Sequence, residues 1–226
     1  MSVCGVDLGS FKTPSYVAWL EGKEFHFDLY LASKDKPFPP LPRGISIPTH
    51  IAFDGPQSLP EIGNKRRECD KLANTPTRVL PSNRKELNSW KMYKRLIECS
   101  IDIFWNVYRN NLAAIAGLND KSKSKLVIME TYPRYIIKRL FPKESVPSKS
   151  KAPVEYVRKF SALIKQRGYR FDKHKVITHD YVDAMLCAIA AEDFKKYSGN
   201  SKGKVGRSLT VDKNEKILRE GFIYSP

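Results

Sequence analysis

The chain has 226 residues and a mass of 25.9 kDa, enough for one domain with a packed core. Forty Lys+Arg against 24 Asp+Glu give a net charge of +16 and a pI near 9.7. A neutral or acidic partner surface matches that poorly; a polyanion such as nucleic acid matches it well. A hydrophobic fraction of 41 % excludes a chain too polar to fold.

The opening MSVCGVDLGS has no basic segment followed by an apolar run, so it does not read as a signal peptide. The most apolar stretch, 101–118, holds Asp102, Arg109 and three asparagines and does not read as a membrane span. Cys4, Cys69, Cys99 and Cys187 form no C-x-x-C pair. That argues against a zinc site or a disulfide framework, and for free thiols in a reducing cytoplasm.

In chain order, residues 3–8 (VCGVDL) read as a strand. Residues 16–20 and the alternating 25–31 flank the turn Glu21-Gly22-Lys23, which predicts a hairpin. Five prolines make 34–48 a loop, and 49–53 is a fresh strand closed by Asp54-Gly55-Pro56. Residues 57–81 are basic and turn-rich, with at most a short helix around 64–73. Asn83 and Glu86 resemble a capping box, and helical spacing then runs from Leu87 to Ala116 with Gly117 as its stop. This predicts one long helix or two joined ones. Residues 126–129 form a buried-type strand ending at Glu130. Helices are expected over 132–141, from Pro153 to Gly168 (apolar face Val154, Val157, Phe160, Leu163, Ile164), and after Thr178 as N-cap. Residues 175–178 read as a brief strand or linker, and the Gly/Lys-rich tail after Tyr197 ends in a possible strand near Phe222. No internal repeat is present. Strands alternating with helices predict a single α/β domain over 1–226, with a helical insertion around 57–120.

Three strands close on an acid: Asp7, Asp54 and Glu130. A late helix opens His179-Asp180-Tyr181-Val182-Asp183, with Asp180 and Asp183 at i, i+3 on one face. Carboxylates at the C-terminal ends of parallel strands face the crevice where α/β proteins bind ligands. Gathered together they repel unless a divalent cation neutralises them, and an all-oxygen set favours Mg²⁺ or Mn²⁺ over zinc. Two such ions about 4 Å apart would activate water and stabilise the leaving oxygen of a phosphodiester. Each acid also has a plainer reading. Asp7 and Asp54 are turn formers, and Asp180 suits the positive end of a helix dipole. Asp183 resists this, being a turn further in among core residues. His179 reads as a proton shuttle or as a packing residue at the helix start.

The order of these features resembles the ribonuclease H-like superfamily, and D-x-x-D-A at 180–184 is similar to its Holliday-junction resolvases. More closely, the chain resembles a prokaryotic family catalogued as domain of unknown function 429, described as predicted nucleases of ribonuclease H fold. The shared segments are Gly5-Val6-Asp7-Leu8-Gly9, Ala52-Phe53-Asp54-Gly55-Pro56 with Leu59-Pro60, Arg67-Glu68-Cys69-Asp70, Glu130-Thr131-Tyr132-Pro133, and His179-Asp180 through Asp183-Ala184. The resemblance implies a mixed sheet with flanking helices and a metal-dependent nuclease. It makes Asp7, Asp54, Glu130 and Asp183 the metal ligands, with Asp180 as an alternative or additional one.

Basic residues concentrate in 61–100 (ten against five acids), 134–175 (thirteen against three) and 195–219 (eight against two). That pattern suits a basic surface tracking a phosphate backbone around an acidic site. Arg66, Arg67 and Arg78 follow Asp54 closely enough to reach a substrate phosphate, although for any single cation a solvated face is the plainer reading. The aromatics form no recognisable stacking platform for single strands. Two other functions compete. An actin-like or sugar-kinase phosphate enzyme would share Asp7-Leu8-Gly9-Ser10 but needs a second Gly-rich loop, and none follows residue 60. A non-catalytic nucleic-acid binder of the same fold would not need the acids.

Overall fold

The computed structural model describes residues 1–75, 79–118, 124–176, 178–199 and 202–226. Its centre is a six-stranded mixed sheet. β1 (Ser2–Asp7), β2 (Ser15–Glu21) and β3 (Glu24–Tyr30) form an antiparallel meander. The turn between β2 and β3 uses Gly22 at φ +60°, as the hairpin prediction required. β4 (Pro48–Asp54), β6 (Val127–Thr131) and the short β5 (Ala114–Ile115) add in parallel, giving the order β3-β2-β1-β4-β6-β5.

Side chains alternate across the sheet and feed two cores. On one face Val3, Ala18, Leu20, Ala52 and Met129 pack under α6 (His179–Lys196) together with α4 (Pro133–Leu140) and α5 (Pro153–Gln166). On the other, Cys4, Val6, Trp19, Ile51, Phe53 and Ile128 pack under Ile103, Phe104 and Val107 of α3 (Lys94–Arg109). α6 is buried without interruption from Val182 to Ala191, because it lies between the sheet and the outer helices. It crosses β1 so closely that a Cβ on Gly5 would fall 2.1 Å from the Ala184 carbonyl oxygen and 2.2 Å from the Ala188 nitrogen.

The stretch between β4 and β6 resolves the expected one long helix or two joined ones as two, with the helical run ending short of Ala116. It holds α1 (Glu68–Ala73), α2 (Arg84–Ser89), α3 and β5. The Asn83 side chain caps α2 by accepting from the Glu86 N–H at 2.8 Å, but Glu86 reaches back to Ser82 rather than to Asn83. The helix breaks at Trp90–Tyr93, where Tyr93 takes φ +53°, and α3 stops at Asn110. Ile115 belongs to β5, paired with Ile128, and Gly117 at φ +87° turns the chain after that strand. A short apolar run such as 112–116 fits helix or strand equally; an available partner strand decides.

The apolar face expected of α5 is corrected at Val154, while the strand expected near Phe222 is present. The buried stripe of α5 is Tyr156, Phe160 and Ile164, with Val157 and Leu163 partly buried, while Val154 is exposed. Residues 175, 176 and 178 lie in no strand; Ile177 is outside the described residues. The tail forms two small sheets: β7 (Val205–Gly206) with β10 (Phe222–Ile223), and β8 (Thr210–Asp212) with β9 (Ile217–Arg219). It is tied to the core by Leu59 N–H to Leu218 O at 3.0 Å and Tyr224 N–H to Glu130 O at 3.1 Å. Among the described residues no helix is long and apolar enough to cross a membrane.

Candidate functional site

Asp7 and Asp54 close neighbouring parallel strands and stand directly opposite one another in register. Both project to the α6 face, where Asp183, in the second turn of that helix, meets them. One oxygen from each of the three lies within 4.8 Å of the others, a spacing that could hold a metal ion. α6 brings Asp183 there because its flanks are core, whereas Asp180, one turn nearer the helix start, stays partly exposed beside the His179 ring (Nδ1–Oδ1 2.9 Å). Thr178 occupies the N-cap position without a side-chain capping bond.

Two residues hold Asp183 in place. The Tyr156 hydroxyl donates to Oδ1 at 2.6 Å, and the Lys149 ammonium donates to Oδ2. Lys149 comes from the irregular segment between α4 and α5. Burial pushes the Asp7 carboxyl well above the usual range, and Asp183 and Asp54 push it further. Burial lifts Asp54 to about 7 while Lys149 works against it. Asp183 is raised by burial, again opposed by Lys149. Burial alone would pull the Lys149 ammonium down, but Asp183 and Asp54 outweigh it and the net shift is upward. Tyr156 is pushed far up by burial and by Asp183, so its hydroxyl remains a donor.

Glu130 is not part of this group. It sits opposite Phe53, one position short of Thr131, which is the residue opposite Asp54. Side chains alternate along a strand, so Glu130 projects to the face opposite Asp54, whereas Thr131 contacts Cys187 of α6 at 3.2 Å. On its own face Glu130 is held by Arg67 (Nη1–Oε2 2.6 Å, Nη2–Oε1 2.7 Å) and by the Gln57 N–H at 2.9 Å. Burial raises Glu130 and the guanidinium counters that rise.

The three arginines expected at substrate phosphate fare differently. Arg67 is 1 % exposed. Nε and Nη2 also grip Asp70 at 2.7 and 3.0 Å, and Nη1 reaches Ser58 Oγ at 3.1 Å, so all five N–H donors are engaged. Arg66 donates to the carbonyls of Asp70 and Thr75, holding the turn after α1. Arg78 lies outside the described residues. Cys69, Asp70 and Glu130 are also spaced to hold a metal, but the Arg67 guanidinium already bridges the two carboxylates with two bonds to each.

Sequence reasoning missed Lys149 and Tyr156. Lys149 sits in Ser148-Lys149-Ser150-Lys151, where nothing local separates it from its exposed neighbour Lys151. A cavity of about 550 Å³ lies beside Asp54, and its lining includes Arg67 and Glu130 as well as Lys149 and Tyr156. That volume admits a nucleotide-sized ligand.

The mixed six-stranded sheet with helices on both faces is compatible with a ribonuclease H-like fold, and three acids meet at its carboxyl edge. A family described as "Protein of unknown function (DUF429)" matches residues 5–205, and the chain belongs to that family. No curated protein and no solved structure matches the chain.

Proposed function

We propose that this protein is a divalent-cation-dependent nuclease that hydrolyses phosphodiester bonds of nucleic acid. The observation that carries the reading is the convergence of Asp7, Asp54 and Asp183 from two parallel strands and one helix. The donor set fits a hard cation: three carboxylates, no sulfur and no imidazole among them, with two carboxylates pushed together in register at the cost of mutual repulsion. Mg²⁺ or Mn²⁺ bound there would supply Lewis acidity toward a phosphodiester and an activated water.

The chain's own groups do the rest. Asp7, Asp54 and Asp183 hold the cation, and Tyr156 fixes the Asp183 carboxylate in one orientation. The partly exposed His179, beside Asp180, stands at the start of the helix that carries Asp183 and can move a proton at its Nε2. The basic segments 134–175 and 195–219 bind the phosphate backbone.

The test incubates the protein with single-stranded, duplex and branched DNA and RNA, with Mg²⁺, Mn²⁺ or EDTA. Cleavage that needs the cation and disappears in a folded Asp7→Asn/Asp54→Asn variant is expected. Cleavage that persists in that variant, or no cleavage of any substrate, overturns the reading.

A further inference from the structure

We propose that Lys149 stands in for a second cation, so that the site takes one divalent ion rather than two. This rests on the reading of Asp7, Asp54 and Asp183 as a cation site and deepens it.

Both the charge of the site and its available ligands point to one ion. With the three carboxylates ionised, the Lys149 ammonium at Asp183 Oδ2 leaves a net charge of −2, which one divalent ion balances. A second divalent ion would leave the site with a net positive charge, against an ammonium already present. The acids that a second ion would need are engaged elsewhere. Glu130 is on the other face of the sheet in a two-point bond to Arg67. Asp180 is turned to His179 at 2.9 Å. Asp183 keeps lone pairs for the single ion, since each carboxylate oxygen accepts more than one bond.

The ammonium is also placed to serve a substrate. Lys149 lines the cavity beside Asp54, so it faces whatever phosphate enters there. Its partner Tyr156 keeps it aligned as well as Asp183, with Nζ 5.4 Å from the centre of the phenol ring. A tethered lysine and one ion therefore share the work of neutralising a phosphate that two ions would otherwise do.

Calorimetric titration of the whole chain with Mn²⁺, in low salt and without nucleic acid, tests this. One equivalent is expected. Lys149→Met is expected to tighten the first Mn²⁺ by about tenfold or more, because a contacting positive charge is removed. Lys149→Arg, which keeps the charge, is expected to retain one equivalent at near-unchanged affinity, and circular dichroism checks that both variants fold. Two equivalents in the unaltered chain, no Mn²⁺ binding, or no tightening in Lys149→Met overturns the proposal. Because nucleic acid is absent, the two readings fail separately. One equivalent with this Lys149 dependence but no cleavage of any substrate defeats the nuclease, and cleavage with two equivalents defeats the role of Lys149.

Discussion

The buried Arg67 offers the sharpest test of how the site is built. Arg67→Met removes the guanidinium that bridges two carboxylates that are 1 % and 3 % exposed, Asp70 and Glu130. Met keeps the aliphatic stem and loses the whole guanidinium, so four charge-assisted bonds of 2.6–3.0 Å disappear and two buried acids lose the cation between them. Removing one partner of a buried pair costs about 3–5 kcal/mol. For a chain of this size each kcal/mol moves Tm by roughly 2–4 °C, so a fall of about 10 °C is expected. Urea unfolding at pH 7 measures the free energy and calorimetry the Tm. Adding Asp70→Asn and Glu130→Gln to Arg67→Met takes away the stranded charges and is expected to recover much of the loss. Glu130→Gln alone is expected to leave Mn²⁺ affinity unchanged, because its side chain is on the wrong face to ligate. A loss below about 1 kcal/mol for Arg67→Met would mean that the carboxylates are hydrated in solution, and the reasoning would fail. Weakened Mn²⁺ binding in Glu130→Gln would refute the assignment of faces.

Two further outcomes follow from the same geometry. Gly5→Ala sets a methyl against the backbone of α6 at Ala184 and Ala188, so it is expected to destabilise by about 3 kcal/mol or more and to abolish Mn²⁺-dependent stabilisation by shifting Asp183, both read by thermal melts with and without the ion. Without divalent ions, Asp54→Asn is expected to stabilise the protein in a pH-dependent way: the folded carboxyl titrates near 7, above its unfolded value, so its favourable contribution is complete below about pH 4 and lost as pH rises through 7. The gain over the unaltered chain, from urea melts across this range, should therefore grow from near zero at pH 4 to its full size above pH 7; a gain that is flat with pH refutes the assignment.

How much of this is legible in the sequence depends on whether a feature is local. Asp7 and Asp54 each close a strand with its own pattern and its own turn, so the residue pattern alone puts both at the carboxyl edge of the sheet. The hairpin, α6 and the α2 cap are legible for the same reason. Glu130 has the same local signature, yet it lies one residue short of the position opposite Asp54, and the alternation of a strand turns that single step into the opposite face. Register is a property of two strands, and no window around Glu130 contains it. β5 reads as helix because its partner, β6, lies outside any helical window.

The charges make the same point more strongly. A total of +16 suggests a basic surface and a polyanion, and the acids within it suggest a metal. Neither number distinguishes a surface cation from a counter-ion. Arg67 looks like a phosphate contact because it follows Asp54 by thirteen residues, but its five donors are turned inward to Asp70, Glu130 and Ser58. Lys149 looks like one of many lysines in a polar loop, but its ammonium reaches Asp183 across 34 residues. In each case the side chain that matches the acid is chosen by tertiary contact: a carboxylate that the fold has buried is costly to leave unpaired, so a cation distant in sequence is brought to it. The basic excess therefore divides into two kinds of charge: most of it remains available for the phosphate backbone we propose as partner, while these two cations pair with buried acids and, on the proposal above, Lys149 sets how many metal ions the site would accept.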